Sequence, residues 1–335
     1  MRKIFLALLC LVGGLFAKEV RAMGYVKGAE VVEVEVKHPF VIDCISGVYY
    51  SQIKSTRSSR AMRMTLLIPR TKELKSAIVY VPGGGFSSAE YEKFSEMRYA
   101  LARAGFVVAA VEYRVIPSIF PAPIVDAKSA IRYLREHYKE YTINPNSIGI
   151  LGDSAGGYVA QMVAMSGKLY NEGDFLSQSS EVQSAVSLYG ISNLLNIGEG
   201  FSPEVLAVHR SPAVTEALLL NGVAFRDFAG ASVMSDPKKA LNASPMGHLE
   251  GKKPPLLLMH GDIDDLVSPI QSSQMYEALK KRNQPVEYVL VKNAQHGDIH
   301  WFQEPIISKV VQWFEKTLAK PIPLKDLKQD KDQNL

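Results

Sequence analysis

From Ala77 onward the chain keeps one rhythm: a short, nearly continuous apolar run, a loop, then an amphipathic helical pattern. "AIVYV" (77–81) leads through "PGGGF" to a helical pattern over 91–104. "FVVAAVEYR" (106–114) leads through a proline-rich loop to one over 123–138. "SIGILGD" (147–153) leads to one that begins near Ser154. "SAVSLYG" (184–190) opens a long irregular stretch, "PPLLLMHG" (254–261) precedes a helical pattern over 268–282, and "VEYVLV" (286–291) precedes a last one over 303–318. Apolar runs of this length without alternation are strands buried on both faces, and such strands joined through helices pair in parallel. The expected fold is therefore α/β, a mostly parallel central sheet with helices on both faces. Antiparallel character belongs to the N-terminal strands, where 28–53 and 61–69 alternate as half-buried strands do. No repeat, heptad or linker interrupts the pattern, and 335 residues with 47% apolar content suffice for one large domain. Its expected span is 23–319, with 191–253 as one long insertion and 320–335 as a polar, disordered tail.

The formal net charge is +4, but Arg2, Lys3, Lys18 and Arg21 against Glu19 place most of it in the first 22 residues. The rest of the chain carries only +1, and no basic patch for nucleic acid emerges from it. Residues 1–22 read as a signal peptide: a cationic start, then "IFLALLCLVGGLF" (4–16), too short and too glycine-broken to span a bilayer comfortably. Cleavage is expected after Ala17 or Ala22, giving a secreted or periplasmic protein without stable membrane insertion; an uncleaved anchor is the alternative. Cys44 is then the only cysteine left. No internal disulfide can form, and a buried thiol is the expectation.

Ser154 stands in "ILGDSAGGYVA" (150–160), between a strand and a helix. In an open parallel sheet, functional groups collect beyond the carboxyl ends of the strands, which is where this serine falls. A sharp strand-to-helix turn lifts its hydroxyl clear of the backbone only if the residues two positions away are small, as Gly152 and Gly156 are. A serine that merely capped the helix would leave those glycines unexplained. A serine nucleophile needs a base, and the base needs an orienting acid. Of the seven histidines, His38, His137, His209 and His248 follow no parallel core strand, and His260 directly precedes the acidic turn "GDIDD". His296 lies in a loop after the last strand, while His300 falls at the start of the last helix. The order Ser154, an aspartate within 262–265, then His296 is that of α/β-hydrolases. Asp262, Asp264 and Asp265 share one turn of chain, and spacing does not choose among them.

"VPGGGF" (81–86), at the end of the first core strand, supplies backbone N–H groups for an oxyanion. It has neither the G-K-[ST] of a phosphate loop nor the spacing of a dinucleotide site. "HGDIH" (296–300) has two histidines four apart, but Gly297 breaks the helix a metal pair would need and no third ligand is evident, so no metal is expected.

Taken together, "GDSAGG", the glycine loop, "EYRVIPSIFPAPIVDAKSAIRYLREH" and "INPNSIGILGDSAGG" resemble the hormone-sensitive-lipase-like α/β-hydrolases. The run "ASPMGHLEGKKPPLLLMHGDIDDLVSPIQSSQMYEALKKRNQPVEYVLV" resembles more narrowly their bacterial feruloyl-esterase-like branch. The resemblance implies a serine carboxylic-ester hydrolase without a dedicated cofactor. It implies Ser154 as nucleophile, His296 as base and, through the pattern H-G-x-x-D, Asp264 as the acid. The oxyanion donors it implies are the N–H groups of Gly84, Gly85 and Ala155. Two departures stand out. The family's glycine loop usually opens with histidine, where this chain has Pro82 and so lacks a side chain that braces the loop. The usual Gly-x-Gly lead into the histidine is here Asn293, Ala294 and Gln295. The family's helical N-terminal lid is also missing from a region that reads as strands, which leaves 191–253 and side chains such as Phe86 to shape the acyl pocket.

The expected substrate is a small-molecule or saccharide ester, with acyl groups on plant polysaccharide or short-chain esters as candidates. An exopeptidase of the prolyl-oligopeptidase type shares the sheet and triad, but fewer than 80 N-terminal residues leave no room for its propeller domain. A catalytically dead binding protein, as in the plant gibberellin receptors, would depart from the triad, whose members are all present here.

Overall fold

A computed structural model describes residues 26–37 and 39–326 of the chain. The signal segment expected over 1–22 lies outside the described residues. The chain divides into a first unit, Met1–Pro39, and a second, Phe40–Leu335. In the first, the alternating stretch "AEVVEVEV" forms no strand, contrary to expectation. Val31, Val32, Val34 and Val36 are 67–78% exposed. Strand propensity needs a partner ladder to be realised, and an unpaired stretch of this length has none.

The second unit is built on one sheet. Its strands are β1 Ile42–Lys54, β2 Ser59–Pro69, β3 Glu73–Val81, β4 Val107–Val111, β5 Ile143–Asp153, β6 Ser184–Leu188, β7 Leu256–Gly261 and β8 Val286–Val291. They lie in the order β1-β2-β4-β3-β5-β6-β7-β8. The β1–β2 and β2–β4 pairs are antiparallel, and every pair from β4 to β8 is parallel. The expected architecture, a mostly parallel sheet with antiparallel N-terminal strands, is the one found. Between the strands run α1 Ser95–Arg103, α2 Ala122–Glu136, α3 Ala155–Met165, α7 Ile270–Lys281 and α8 Glu304–Thr317. The insertion contributes three short helices, α4 Pro203–His209, α5 Thr215–Asn221 and α6 Pro237–Asn242.

The twofold repeat of a strand sends alternate residues to opposite faces. Val79 and Val81 of β3 join a core with α2, α3 and α7, whereas Ile78 and Tyr80 join a second core with α1 and α8. Each fully buried aliphatic side chain in these layers contributes about 1.5–3 kcal/mol. Close approach decides one position in particular: a Cβ on Gly149 of β5 would lie 2.7 Å from the Phe314 ring of α8.

Two further expectations change. Cys44 is exposed rather than buried, because it lies on β1, the edge strand, which has β2 on one side only. The tail expected to be disordered from Lys320 begins with order, since β9, Ile322–Pro323, pairs antiparallel with Glu73 and Leu74 of β3. Residues 327–335 lie outside the described residues. Helix α2, legible as amphipathic, buries Lys128, Arg132 and Arg135. These cations donate to backbone carbonyls of the connection after α3: Lys128 Nζ to Gly167 at 2.6 Å, Arg132 Nε to Asp174 at 2.7 Å and Arg135 Nη1 to Ser179 at 2.6 Å. Burial pushes the Lys128 ammonium down to about 8.

Candidate active site

Strand β5 runs into α3 through Ser154, whose φ of 53° and ψ of −121° are unusual for a residue with a side chain. Such a conformation costs about 1–3 kcal/mol and persists only where its surroundings enforce it. Here the Ser154 N–H donates to the Leu188 carbonyl at 2.9 Å. The flanking glycines permit the turn. A Cβ on Gly152 would lie 2.0 Å from the Gly156 carbonyl oxygen, and one on Gly156 would lie 2.0 Å from that of Val81.

His296 Nε2 lies 2.7 Å from Ser154 Oγ, and its Nδ1 lies 2.8 Å from Asp264 Oδ2. Asp264 can only accept there, so Nδ1 carries the proton and Nε2 is left to receive the serine hydroxyl. The structure thus brings together Ser154, His296 and Asp264, which are far apart in the chain. Asp262 and Asp265 are elsewhere. Asp262 Oδ1 accepts the Asn293 N–H at 2.6 Å, while Asp265 is exposed. Asn293 takes φ 60° at the start of the loop to His296, a left-handed conformation that asparagine tolerates better than most residues. This accounts locally for the missing glycine. His300 stays on its own helical turn, with Nδ1 3.0 Å from both carboxylate oxygens of Asp298.

The buried Asp264 carboxylate is richly held. Its Oδ1 accepts the N–H groups of Leu266 at 3.0 Å and Val267 at 2.9 Å. Burial alone pushes this carboxyl up. Hydrogen bonds from His260 and His296, the His296 charge and the Val267 N–H outweigh it and hold Asp264 well below the usual carboxylate range. His260 is a group the sequence reading did not assign. It is fully buried, with Nε2 2.8 Å from the Val267 carbonyl and 3.3 Å from Asp264 Oδ2, and Nδ1 2.7 Å from Ser272 Oγ. Tyr189 is another, packing edge-on against the His296 ring at 4.8 Å.

The glycine loop lies directly over the elbow: a Cβ on Gly83 would be 2.8 Å from Ser154 Cβ. Gly84 and Gly85 have φ of 155° and 56°. The Gly84 carbonyl accepts the N–H groups of Ser87 at 3.0 Å and Ser88 at 3.1 Å, while the N–H groups of Gly84, Gly85 and Ala155 meet no acceptor among the described residues. Phe86 is buried edge-on against Tyr158 at 5.3 Å. Tyr158 in turn donates to the Ala243 carbonyl of the insertion at 2.6 Å.

A family model described as BD-FAE matches residues 64–279. The chain belongs to the BD-FAE family. Its place among the hormone-sensitive-lipase-like α/β-hydrolases, in the feruloyl-esterase-like branch, follows. This BD-FAE chain is 27% identical over 222 residues to a protein of Mycobacterium tuberculosis described as the probable carboxylic ester hydrolase LipM, covering 65% of this chain and 48% of that one. It is 26% identical over 262 residues to the probable isoprenylcysteine alpha-carbonyl methylesterase ICMEL1 of Arabidopsis thaliana, covering 76% and 52% respectively. The chain therefore spans about half the length of these relatives. In fold it matches a truncated carbohydrate esterase from gut microbiota with a TM-score of 0.69 at 20% identity, covering 84% of this chain and 98% of that one.

Proposed function

We propose that this BD-FAE chain is a serine carboxylesterase working through an acyl-enzyme on Ser154. What supports the reading is the hydrogen-bonded series Ser154, His296, Asp264 at 2.7 and 2.8 Å beneath a glycine loop. Ser154 Oγ attacks the ester carbonyl carbon as His296 Nε2 takes its proton. Asp264 holds the imidazole in the required tautomer and stabilises the imidazolium. The carbonyl oxygen becomes an oxyanion, received by the N–H groups of Gly84, Gly85 and Ala155. Collapse breaks the bond to the alkoxy oxygen, which leaves as the alcohol with the proton from His296. Water, deprotonated by His296, then attacks the acyl carbon, and the acid departs as Ser154 regains its proton.

The substrate class we propose is a small ester or an acylated saccharide, met outside the cytoplasm after export. Residues 191–253, tied to α3 through Tyr158, and Phe86 shape the acyl side. Initial rates on short-chain p-nitrophenyl esters and on amino-acid anilides test the reaction, with Ser154→Ala as control. Ester turnover that vanishes in the variant is expected; preferential anilide cleavage would point to a peptidase, and no turnover of either to a binding protein. A panel of acetylated and feruloylated sugars then distinguishes the acyl groups.

A further inference from the structure

We infer that Lys93 is a positioning residue for the oxyanion loop, acting through the Asp153 carboxylate in place of the brace that Pro82 cannot supply. The inference rests on the esterase reading above. Asp153 directly precedes the nucleophile on the elbow and is 4% exposed. Its Oδ1 accepts the Gly83 N–H at 3.0 Å and the Tyr80 hydroxyl at 2.8 Å, and its Oδ2 accepts Lys93 Nζ at 2.9 Å. One carboxylate therefore fastens the residue just before the two proposed oxyanion donors to the residue just before Ser154. A buried carboxylate needs a counter-charge, and Lys93 is the cation that reaches it.

The lysine is held in place from behind. Arg98, 5% exposed, donates through Nε to the Lys93 carbonyl at 2.8 Å and through Nη2 to the Glu92 carbonyl. Glu92 Oε1 accepts the Thr65 hydroxyl at 2.9 Å. The support thus runs from β2 and α1, through residues 92–93, to Asp153 and the glycine loop. Pro82 has no N–H and takes part only through its carbonyl, which accepts the Tyr113 hydroxyl at 2.9 Å. Oxyanion donors act by being aimed before the reaction, so a loop that drifts loses transition-state stabilisation more than substrate affinity.

The test compares purified wild type with Lys93→Met, Lys93→Arg and Asp153→Asn. Each is assayed for kcat and KM on p-nitrophenyl acetate, for Ki with an aryl trifluoromethyl ketone, whose serine adduct carries an oxyanion, and for the midpoint of thermal unfolding. A displacement of about 1 Å can cost on the order of a hundredfold. Lys93→Met is expected to lower kcat about tenfold or more, with KM nearly constant and Ki rising in step with the loss in kcat/KM. Lys93→Arg, still able to reach the carboxylate, recovers most of the rate, and Asp153→Asn moves with Lys93→Met. A Lys93→Met protein that unfolds at lower temperature yet keeps wild-type kcat and Ki overturns the inference and leaves the esterase reading standing. Wild type that turns over no ester overturns both.

Discussion

Asp264 differs from its acidic neighbours in what surrounds it, and two measurements follow. Asp264→Asn is expected to cost about 10⁴ in kcat by removing the partner that fixes the His296 tautomer, whereas Asp262→Asn and Asp265→Asn keep near-normal kcat on p-nitrophenyl acetate. The depressed Asp264 carboxyl also bears on stability. A group whose folded pKa lies below its unfolded value, about 3.9, contributes stability that is complete above that pH and is lost as pH falls through the folded pKa. The difference in unfolding free energy between wild type and Asp264→Asn, followed by urea titration, should therefore be constant at neutral pH and shrink below about pH 4. In the glycine loop, Gly84→Val should lose most of the activity, because φ is 155° and a Cβ would lie 2.4 Å from the Ser88 carbonyl oxygen. Pro82→His should change it little, since Asp153 already ties the loop to the elbow. Ser154 and His296 can be picked out of the sequence because each follows a core strand with a glycine signature beside it. Asp264 needs the family pattern, since three acids share its turn. Asp153, Lys93 and His260 are silent in sequence: Gly83 meets Asp153, 70 residues away, only because β3 lies beside β5.

Among the elements, the parallel strands were legible because burial on both faces demands uninterrupted apolar residues. The helices that cover them were legible from their spacing. Which helix lies on which face was not, since a period of two exposes both choices equally until neighbours are known. Helix α8 shows the consequence, because Phe314 packs where Gly149 leaves space on β5. Phe314→Ala should destabilise the protein by about 3–5 kcal/mol in denaturant titration. Its kcat/KM should be unchanged at temperatures where the variant is folded, because α8 lies on the opposite face from α3, the helix that follows Ser154.

At the scale of the whole second unit, much of the irregular chain is fastened by buried polar groups that composition conceals. Lys128, Arg132 and Arg135 are buried and donate to carbonyls within 167–181. Arg132 also donates to Asn171 Oδ1 at 2.7 Å and Ser129 Oγ at 2.8 Å. Arg132→Met should cost about 2–4 kcal/mol by leaving those acceptors unpaired. Limited proteolysis should find new cleavage within 167–181 while ester turnover by the folded fraction persists. The proposed esterase requires Ser154 to be the reactive serine, and mass-spectrometric mapping of a fluorophosphonate adduct is the direct test. A single adduct is expected on the peptide containing Ser154, absent from a folded Ser154→Ala protein. An adduct on any other residue, or undiminished labelling of the alanine variant, would contradict it.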